Sequence, residues 1–157
     1  MEPAMSKAYY SAVLNSPVDH VWNLIRDFND YPKYIDGVSE SRIEDDKRGD
    51  ETGAVRRFCY GGTWIRQRLT THSDDRHSFS YAGMDKFPYP MEAERVPAAI
   101  DHSGTLNLAP VTEGNLTFVE WFVEFDCPSE DVAPWHDLLM QLIPQWVGSL
   151  GRAAEAR

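Results

Sequence analysis

One long amphipathic pattern near the end of the sequence limits what the rest of the chain can form. Large apolar residues recur at intervals of three and four, at Trp135, Leu138, Leu139, Leu142, Ile143, Trp146, Val147 and Leu150. Because an α-helix turns once every 3.6 residues, this spacing predicts one apolar stripe along a single helix. Burying eight such side chains contributes about 12–24 kcal/mol before opposing terms. The helix therefore requires a broad apolar partner.

The preceding part of the chain predicts an antiparallel sheet that could be this partner. A first strand at 7–14 is followed by a helix over about 17–28, with Ser16 as its N-cap and Pro17 as its first residue, and by a helical turn near 31–35. Short connections such as Gly61-Gly62 favour hairpins. Runs of β-forming residues between turn residues predict six further strands, at 37–44, 53–60, 63–72, 77–82, 99–108 and 115–126.

Two local features modify this arrangement. The connection at 83–98 is long and contains three Pro, two Met and two aromatic residues. Loops of this length are usually functional or disordered, and its apolar residues indicate that it packs over the domain, with Glu92 and Glu94 in solvent. Pro144 lies within the predicted helix and removes a backbone hydrogen bond. We expect a kink there that splays the helix from the sheet.

Composition excludes several classes of protein. The 157 residues fit a single domain spanning 1–157, and the formal net charge of −10 argues against nucleic acid binding, which requires clustered Lys and Arg. The sequence contains no run of about 18 apolar residues, so it predicts no membrane-spanning helix. Cys59 and Cys127 match no metal or disulfide spacing. We expect a cytoplasmic monomer or weak homodimer, with no cofactor and no metal.

Strand alternation assigns side chains to the two faces of the sheet. On the strand at 63–72, two arginines share one face, which we therefore assign to solvent. The opposite face carries Ile65, Gln67 and Leu69, with Thr63 as a further candidate. The same argument assigns a mostly apolar set to the inner face: Phe79, Tyr81, Ile100, His102, Val119, Trp121, Val123 and Phe125. A buried Gln or His without a partner costs about 1–3 kcal/mol, so Gln67 and His102 either bond each other or face a wet cavity and a ligand.

The order of these segments resembles the START/Bet v 1-like superfamily, and most closely its bacterial polyketide cyclase/dehydrase-like group. The resemblance rests on the segments 16–22 with Asp27-Phe28, 65–69, 79–81, 97–106 and 119–121, in that order. It implies an α+β helix-grip fold, in which a curved seven-stranded antiparallel sheet with two short helices after strand 1 wraps around a long C-terminal helix. It also implies a cavity between sheet and helix that binds lipids, hormones or polyketides, and in some members an aldol cyclisation or aromatisation.

Two inner positions depart from the family pattern. Gln67 replaces the usual Glu and can only donate and accept hydrogen bonds. His102 replaces the usual Tyr, and a His with a pKa near neutrality could act as a general acid or base on a ketone. The candidate catalytic residues are His102, as the proton carrier, and Gln67 or Tyr81, which would polarise the carbonyl. We expect the ligand to contact the following apolar residues: Ile65, Leu69, Phe79, Ile100, Trp121, Val123, Leu139, Ile143 and Trp146.

Three functions therefore stay open at this level. The first is binding of a small hydrophobic molecule, with 83–98 as a lid. The second is a cyclase or aromatase-like enzyme that uses His102 as a proton shuttle. The third is an interaction module like the cell-stress or coenzyme-Q-binding relatives. Lys33 is a candidate partner for a ligand carboxylate at the cavity mouth, whereas the remaining histidines are expected at the surface or rim: His20, His72, His77 and His136.

Overall fold

The computed structural model describes residues 6–90 and 94–156, and it has the predicted α+β helix-grip fold. Strand β1 (Ser6–Leu14) is followed by helix α1 (Val18–Ile25), a 3₁₀ helix (Phe28–Lys33) and six strands. These are β2 (Val38–Ile43), β3 (Val55–Tyr60), β4 (Thr63–Ser73), β5 (Ser78–Gly83), β6 (Asp101–Val111) and β7 (Leu116–Asp126). They form one antiparallel sheet in the order β1-β7-β6-β5-β4-β3-β2.

Helix α2 (Val132–Glu155) supplies the other half of the core. Seven of the eight predicted stripe residues are buried, and Leu142 is half-buried because it lies at the margin of the packed face. The helix is longer than the stripe at both ends and runs without interruption through Pro144. The predicted splaying of the helix at Pro144 stays a prediction.

The first helix differs from its prediction at both ends. Pro17, and not Ser16, occupies the N-cap position, since the Pro17 carbonyl accepts the first hydrogen bond of the helix, from Val21 N–H at 3.1 Å. The helix ends at Ile25 instead of residue 28. The Asp27 carboxylate accepts a hydrogen bond from the Asn29 backbone N–H at 2.9 Å and thereby starts the 3₁₀ helix, which spans 28–33 rather than 31–35.

The inner face of the sheet follows the predicted alternation, with one exception. The predicted inward residues of β5, β6 and β7 are buried, as are Ile65, Gln67 and Leu69 on β4. Thr63 is exposed, so its inward assignment is wrong. It opens β4 directly after the Gly61-Gly62 turn, where it borders an outer groove instead of the core.

The connection between β5 and β6 packs over the core. We call residues 84–98 the lid; Met91, Glu92 and Ala93 lie outside the described residues. Phe87 and Pro97 are buried, while Glu94 is exposed as expected. The Phe87 backbone exchanges two hydrogen bonds with Ile100, of 2.8 and 3.0 Å. The lid is therefore fastened to the start of β6 by a short antiparallel bridge.

Candidate functional site

Three polar side chains form a row across the inner face of the sheet, which we call the polar row: Arg56, Gln67 and His102. Arg56 on β3 lies directly opposite Gln67 on β4, and Gln67 lies opposite Gly83 on β5. A Cβ atom on Gly83 would come within 2.3 Å of the His102 ring. Because Gly83 has no side chain, His102 reaches from β6 across β5, and its Nε2 lies 2.8 Å from Nε2 of Gln67.

Arg56 is a buried cation that the sequence analysis missed. Its guanidinium lies between the rings of Phe28 and Tyr31, 3.9 and 3.6 Å from their centroids. Nε and Nη2 donate to Oε1 of Gln67 at 3.1 and 2.7 Å, and Nη1 donates to the Phe28 carbonyl at 3.4 Å. A signal was present in the sequence, since Arg56 alternates with the aromatic residues Phe58 and Tyr60.

These contacts determine the protonation of His102. Arg56 occupies Oε1 of Gln67, so the Gln67 amide group must donate to Nε2 of His102, which leaves the ring proton on Nδ1. Among the residues that the structure describes, this Nδ1 has no hydrogen-bond partner. Burial, reinforced by the positive charge of Arg56, lowers the pKa of His102 to about 4. The ring is neutral at pH 7, and this pKa does not match the near-neutral value on which the proton-shuttle hypothesis depends.

Tyr81 lies beside the polar row on β5. Its hydroxyl oxygen accepts a hydrogen bond from Nε1 of Trp121 at 3.2 Å. Its cross-strand neighbour is Gly104, and a Cβ atom there would lie 2.2 Å from the Tyr81 hydroxyl. Burial raises the pKa of Tyr81, so the phenol keeps its proton and can donate it to an acceptor in the cavity. A second glycine thus makes room for a second polar side chain.

An internal cavity lies between the polar row, the lid and α2. Its volume is about 20 Å³, close to the space needed for one water molecule. Pockets that enclose organic ligands usually measure about 300–1,000 Å³. The cavity is therefore closed to an organic ligand in this structure. The cavity is lined by Tyr31, Phe58, Tyr60, Gln67, Tyr81, Phe87, Ile100, His102, Val123, Leu139 and Trp146.

The predicted site residues divide into two groups in this closed state. All three candidate catalytic residues line the cavity, together with four of the nine residues expected against the ligand: Ile100, Val123, Leu139 and Trp146. The other five are buried in the surrounding core: Ile65, Leu69, Phe79, Trp121 and Ile143. Sequence reasoning missed four aromatic lining residues, of which Tyr31, Phe58 and Tyr60 come from the 3₁₀ helix and β3, and Phe87 comes from the lid.

The lid closes the cavity with one aromatic side chain and one anchored end. The Phe87 ring centroid lies 5.4 Å from that of His102 and 6.1 Å from that of Trp135. At the other end, the Asp131 carboxylate accepts a hydrogen bond from Ala98 N–H at 3.1 Å and pairs with Arg95 at 2.6 Å. The Ala98 N–H, together with Arg95, holds the pKa of Asp131 below its ordinary value.

Tyr60 separates the cavity from solvent. Its ring lines both the cavity and an outer groove of about 460 Å³ between the Gly61-Gly62 turn, the lid residue Pro90 and α2. The hydroxyl oxygen of Tyr60 accepts a hydrogen bond from Nε1 of Trp146 at 3.0 Å. Tyr60 therefore stands between the two spaces, and the hydrogen bond from Trp146 holds it there.

The remaining candidates lie away from the cavity. Lys33 is half-exposed and pairs with Asp30 at 3.1 Å. His20 and His72 bond to the carbonyls of Ala154 and Arg26. Among residues 6–90 and 94–156, no three His, Cys, Asp or Glu side chains are grouped as a metal site would require. In the same ranges, no helix is both long and apolar enough to cross a membrane.

Comparison with known proteins agrees with this geometry. Residues 5–155 match the sequence model of the family described as "Polyketide cyclase / dehydrase and lipid transport". The chain belongs to this family. The match spans every strand and helix of the fold, and it supports the binding of hydrophobic molecules without identifying one. No curated protein matches the chain.

Solved structures show the same fold over nearly the whole chain. A protein from Nitrosospira multiformis is 26% identical, with a TM-score of 0.74 and 94% of each chain covered. The XoxI protein of Bacillus cereus is 22% identical, with a TM-score of 0.76 and 95% of each chain covered. A Thermobifida fusca protein is 20% identical, with a TM-score of 0.76, covering 95% of this chain and 93% of its own. At this identity the last two show the fold alone.

Proposed function

We propose that this protein binds a small hydrophobic molecule of lipid, polyketide or aromatic type in the cavity between the sheet and α2. The observation that carries the proposal is the composition of the cavity wall, which is aromatic and aliphatic except for a few converging polar groups. Ligand pockets typically combine an apolar lining with a small number of such groups, which orient the ligand. Packing alone does not require a buried Arg, Gln and His in one row, and two of them, Gln67 and His102, line the cavity, which supports the proposal.

Binding in this proposal requires the cavity to open. The lid is the element suited to move, because most of its described residues are exposed and it contacts the cavity chiefly through Phe87. Rotation of Tyr60, which lines both spaces, would join the cavity to the outer groove, and withdrawal of Phe87 would enlarge the cavity on the side of the lid. The apolar part of a ligand would then lie against Ile100, Val123, Leu139 and Trp146, and its polar atoms against the Gln67 amide and the Tyr81 hydroxyl.

A catalytic role is the second candidate, favoured by Arg56. A buried positive charge behind Gln67 stabilises negative charge that develops on a ketone oxygen during enolisation, as cyclisation or aromatisation requires. Replacing His102 by Phe tests the proton-shuttle part of this candidate. Loss of turnover with intact binding would support the role, whereas unchanged turnover would remove His102 from the mechanism.

Native mass spectrometry followed by organic extraction tests the binding proposal. We expect purified protein to carry a one-to-one adduct of a hydrophobic molecule, or to accept one from a panel of lipids and aromatic polyketides, and to release it on extraction. A Val123→Trp variant, which fills the cavity from β7, should carry much less. If neither protein takes up any member of the panel and a hydrophobic dye finds no site, the proposal fails.

A further inference from the structure

Arg56 is a buried positive charge without an acidic partner among the described residues. Its side chain is 1% exposed. Within residues 6–90 and 94–156 its hydrogen bonds go to an amide oxygen and a backbone carbonyl, and none of the salt bridges includes it. The residues lining the adjacent cavity include no Asp or Glu. Arg56 does not itself line the cavity but lies behind Gln67, which does, so the buried charge nearest to the cavity is positive.

An unpaired buried ion is unfavourable, because the interior replaces only part of the solvation lost on burial. The rings of Phe28 and Tyr31 and the Gln67 oxygen compensate for part of this loss. Gln67 lies directly opposite Arg56 on the neighbouring strand. A carboxylate at that position would neutralise the remaining charge of the guanidinium group. In this chain that position is the neutral Gln67, so the charge of Arg56 is unmatched among the described residues.

We propose that the ligand is an organic acid, with an apolar body and one anionic oxygen group that supplies the missing negative charge. This inference rests on the proposed binding function and names the class of ligand. The anionic group lies against the second N–H of the Gln67 amide and the Tyr81 hydroxyl, with Arg56 directly behind Gln67. The apolar body extends between Val123 and Leu139 towards Tyr60.

The acidic surface of the protein does not oppose this arrangement at physiological ionic strength. The formal net charge is −10, but exposed charges are screened within about 8 Å at 0.15 M salt. The interaction with Arg56 takes place in a water-poor interior, where screening is much weaker. The positive charge of Arg56 is the nearest charge that salt does not screen, and it therefore decides the preference for an acid over a neutral ligand.

Matched pairs of probes test the inference: decanoate against decanamide, and 2-naphthoate against 2-naphthamide. Affinities are measured by calorimetry at pH 7.5 with the full chain. We expect each acid to bind about tenfold or more tightly than its amide, because only the acid interacts with the buried charge. The preference should disappear as the pH falls below the pKa of the free acid, because the acid then becomes neutral. This test uses the wild-type protein.

Two variants that lower the net charge by one unit identify the source of the preference. Gln67→Glu places a carboxylate opposite Arg56, and we expect the preference for acids to be lost or reversed. Arg68→Gln changes an exposed residue on the outer face of the same strand, and we expect the preference to persist. Equal or tighter binding of the amides to the wild type would overturn the inference while leaving the binding function intact. Binding of neither probe type would count against the binding function itself.

Discussion

The Gln67 amide nitrogen lies 2.8 Å from Nε2 of His102, although β5 separates their strands. The contact passes over Gly83, where a side chain would collide with the imidazole ring. Arg56 fixes the orientation of the amide, so Gln67 donates to His102 and His102 keeps its proton on Nδ1. The two residues bond each other, which is the first of the two alternatives that the sequence left open, and they also line the cavity; contact with a ligand stays a prediction.

The free energy of unfolding should depend on pH through His102. Its pKa is about 4 in the folded protein against an ordinary value of 6.5. As the pH falls through this interval, the unfolded chain binds the proton first, so stability is highest above pH 6.5 and decreases towards pH 4. The free energy of unfolding decreases by about 3 kcal/mol in total once the pH is below both pKa values. Between pH 7 and pH 4.8 the decrease should be about 2 kcal/mol, and urea unfolding at these two pH values measures it.

His102→Gln provides the control for this pH dependence. The amide oxygen of the new side chain can accept the bond from Gln67 but cannot be protonated in this range. We expect the variant to lose most of the change in stability between pH 7 and pH 4.8. The same pH dependence in both proteins would show that His102 is not its source.

Gly104→Ala should destabilise the protein by about 1–3 kcal/mol through overpacking. The new methyl group would lie 2.2 Å from the Tyr81 hydroxyl and would displace it from Trp121. Thermal unfolding measures the loss. Gly148→Ala is the matched control, since a Cβ on that residue of α2 meets its nearest atom at 3.4 Å, and alanine there should stabilise the helix by about 0.5–1 kcal/mol. Equal effects of the two substitutions would contradict the predicted contact.

Asp131→Asn should loosen the lid. An amide can still accept the hydrogen bond from Ala98, but it cannot form an ion pair with Arg95. Hydrogen exchange of a peptide covering residues 94–100 should become several-fold faster. Glu130→Gln is the control, because Glu130 is exposed and lies 3.6 Å from Arg95. Unchanged exchange in Asp131→Asn would show that the ion pair with Arg95 does not hold the lid in place.

Tyr60→Phe should accelerate ligand entry. The substitution removes the hydrogen bond from Trp146 while keeping the ring, and a bond of this kind stabilises a folded protein by about 1 kcal/mol. Stopped-flow measurements with a fluorescent hydrophobic probe should give association and dissociation rates that are both higher, with a small change in affinity. If neither rate changes, entry does not pass Tyr60.

The sequence predicted the fold and part of the site because both depend on periodic patterns. The stripe from Trp135 to Leu150 identified α2, and alternation identified Gln67 and His102 as inward residues before their contact was known. Thr63 follows the inward register and is nevertheless exposed, because it lies beside a tight turn, beyond the area that α2 covers.

The same rules missed Arg56, although it alternates with Phe58 and Tyr60, and they do not reach Phe87. Charged residues in a strand are assigned to solvent, and only the aromatic cage formed with the 3₁₀ helix explains why one arginine lies inside. Phe87 belongs to an irregular connection, where no period exists to assign a face. Similarly, the volume of the cavity depends on how individual rings pack, which a one-dimensional pattern does not contain.

The central claim is that a hydrophobic ligand enters the space beside Trp146, and indole NMR tests it most directly. Trp146 lines the cavity, whereas Trp64 is 43% exposed on the outer face of the sheet and serves as an internal control. Titration of protein labelled with ¹⁵N-tryptophan should shift the Trp146 indole signal in a saturable, one-to-one manner and leave the Trp64 signal in place. A binding curve in which Trp64 shifts and Trp146 does not would place the ligand outside the cavity and contradict the account.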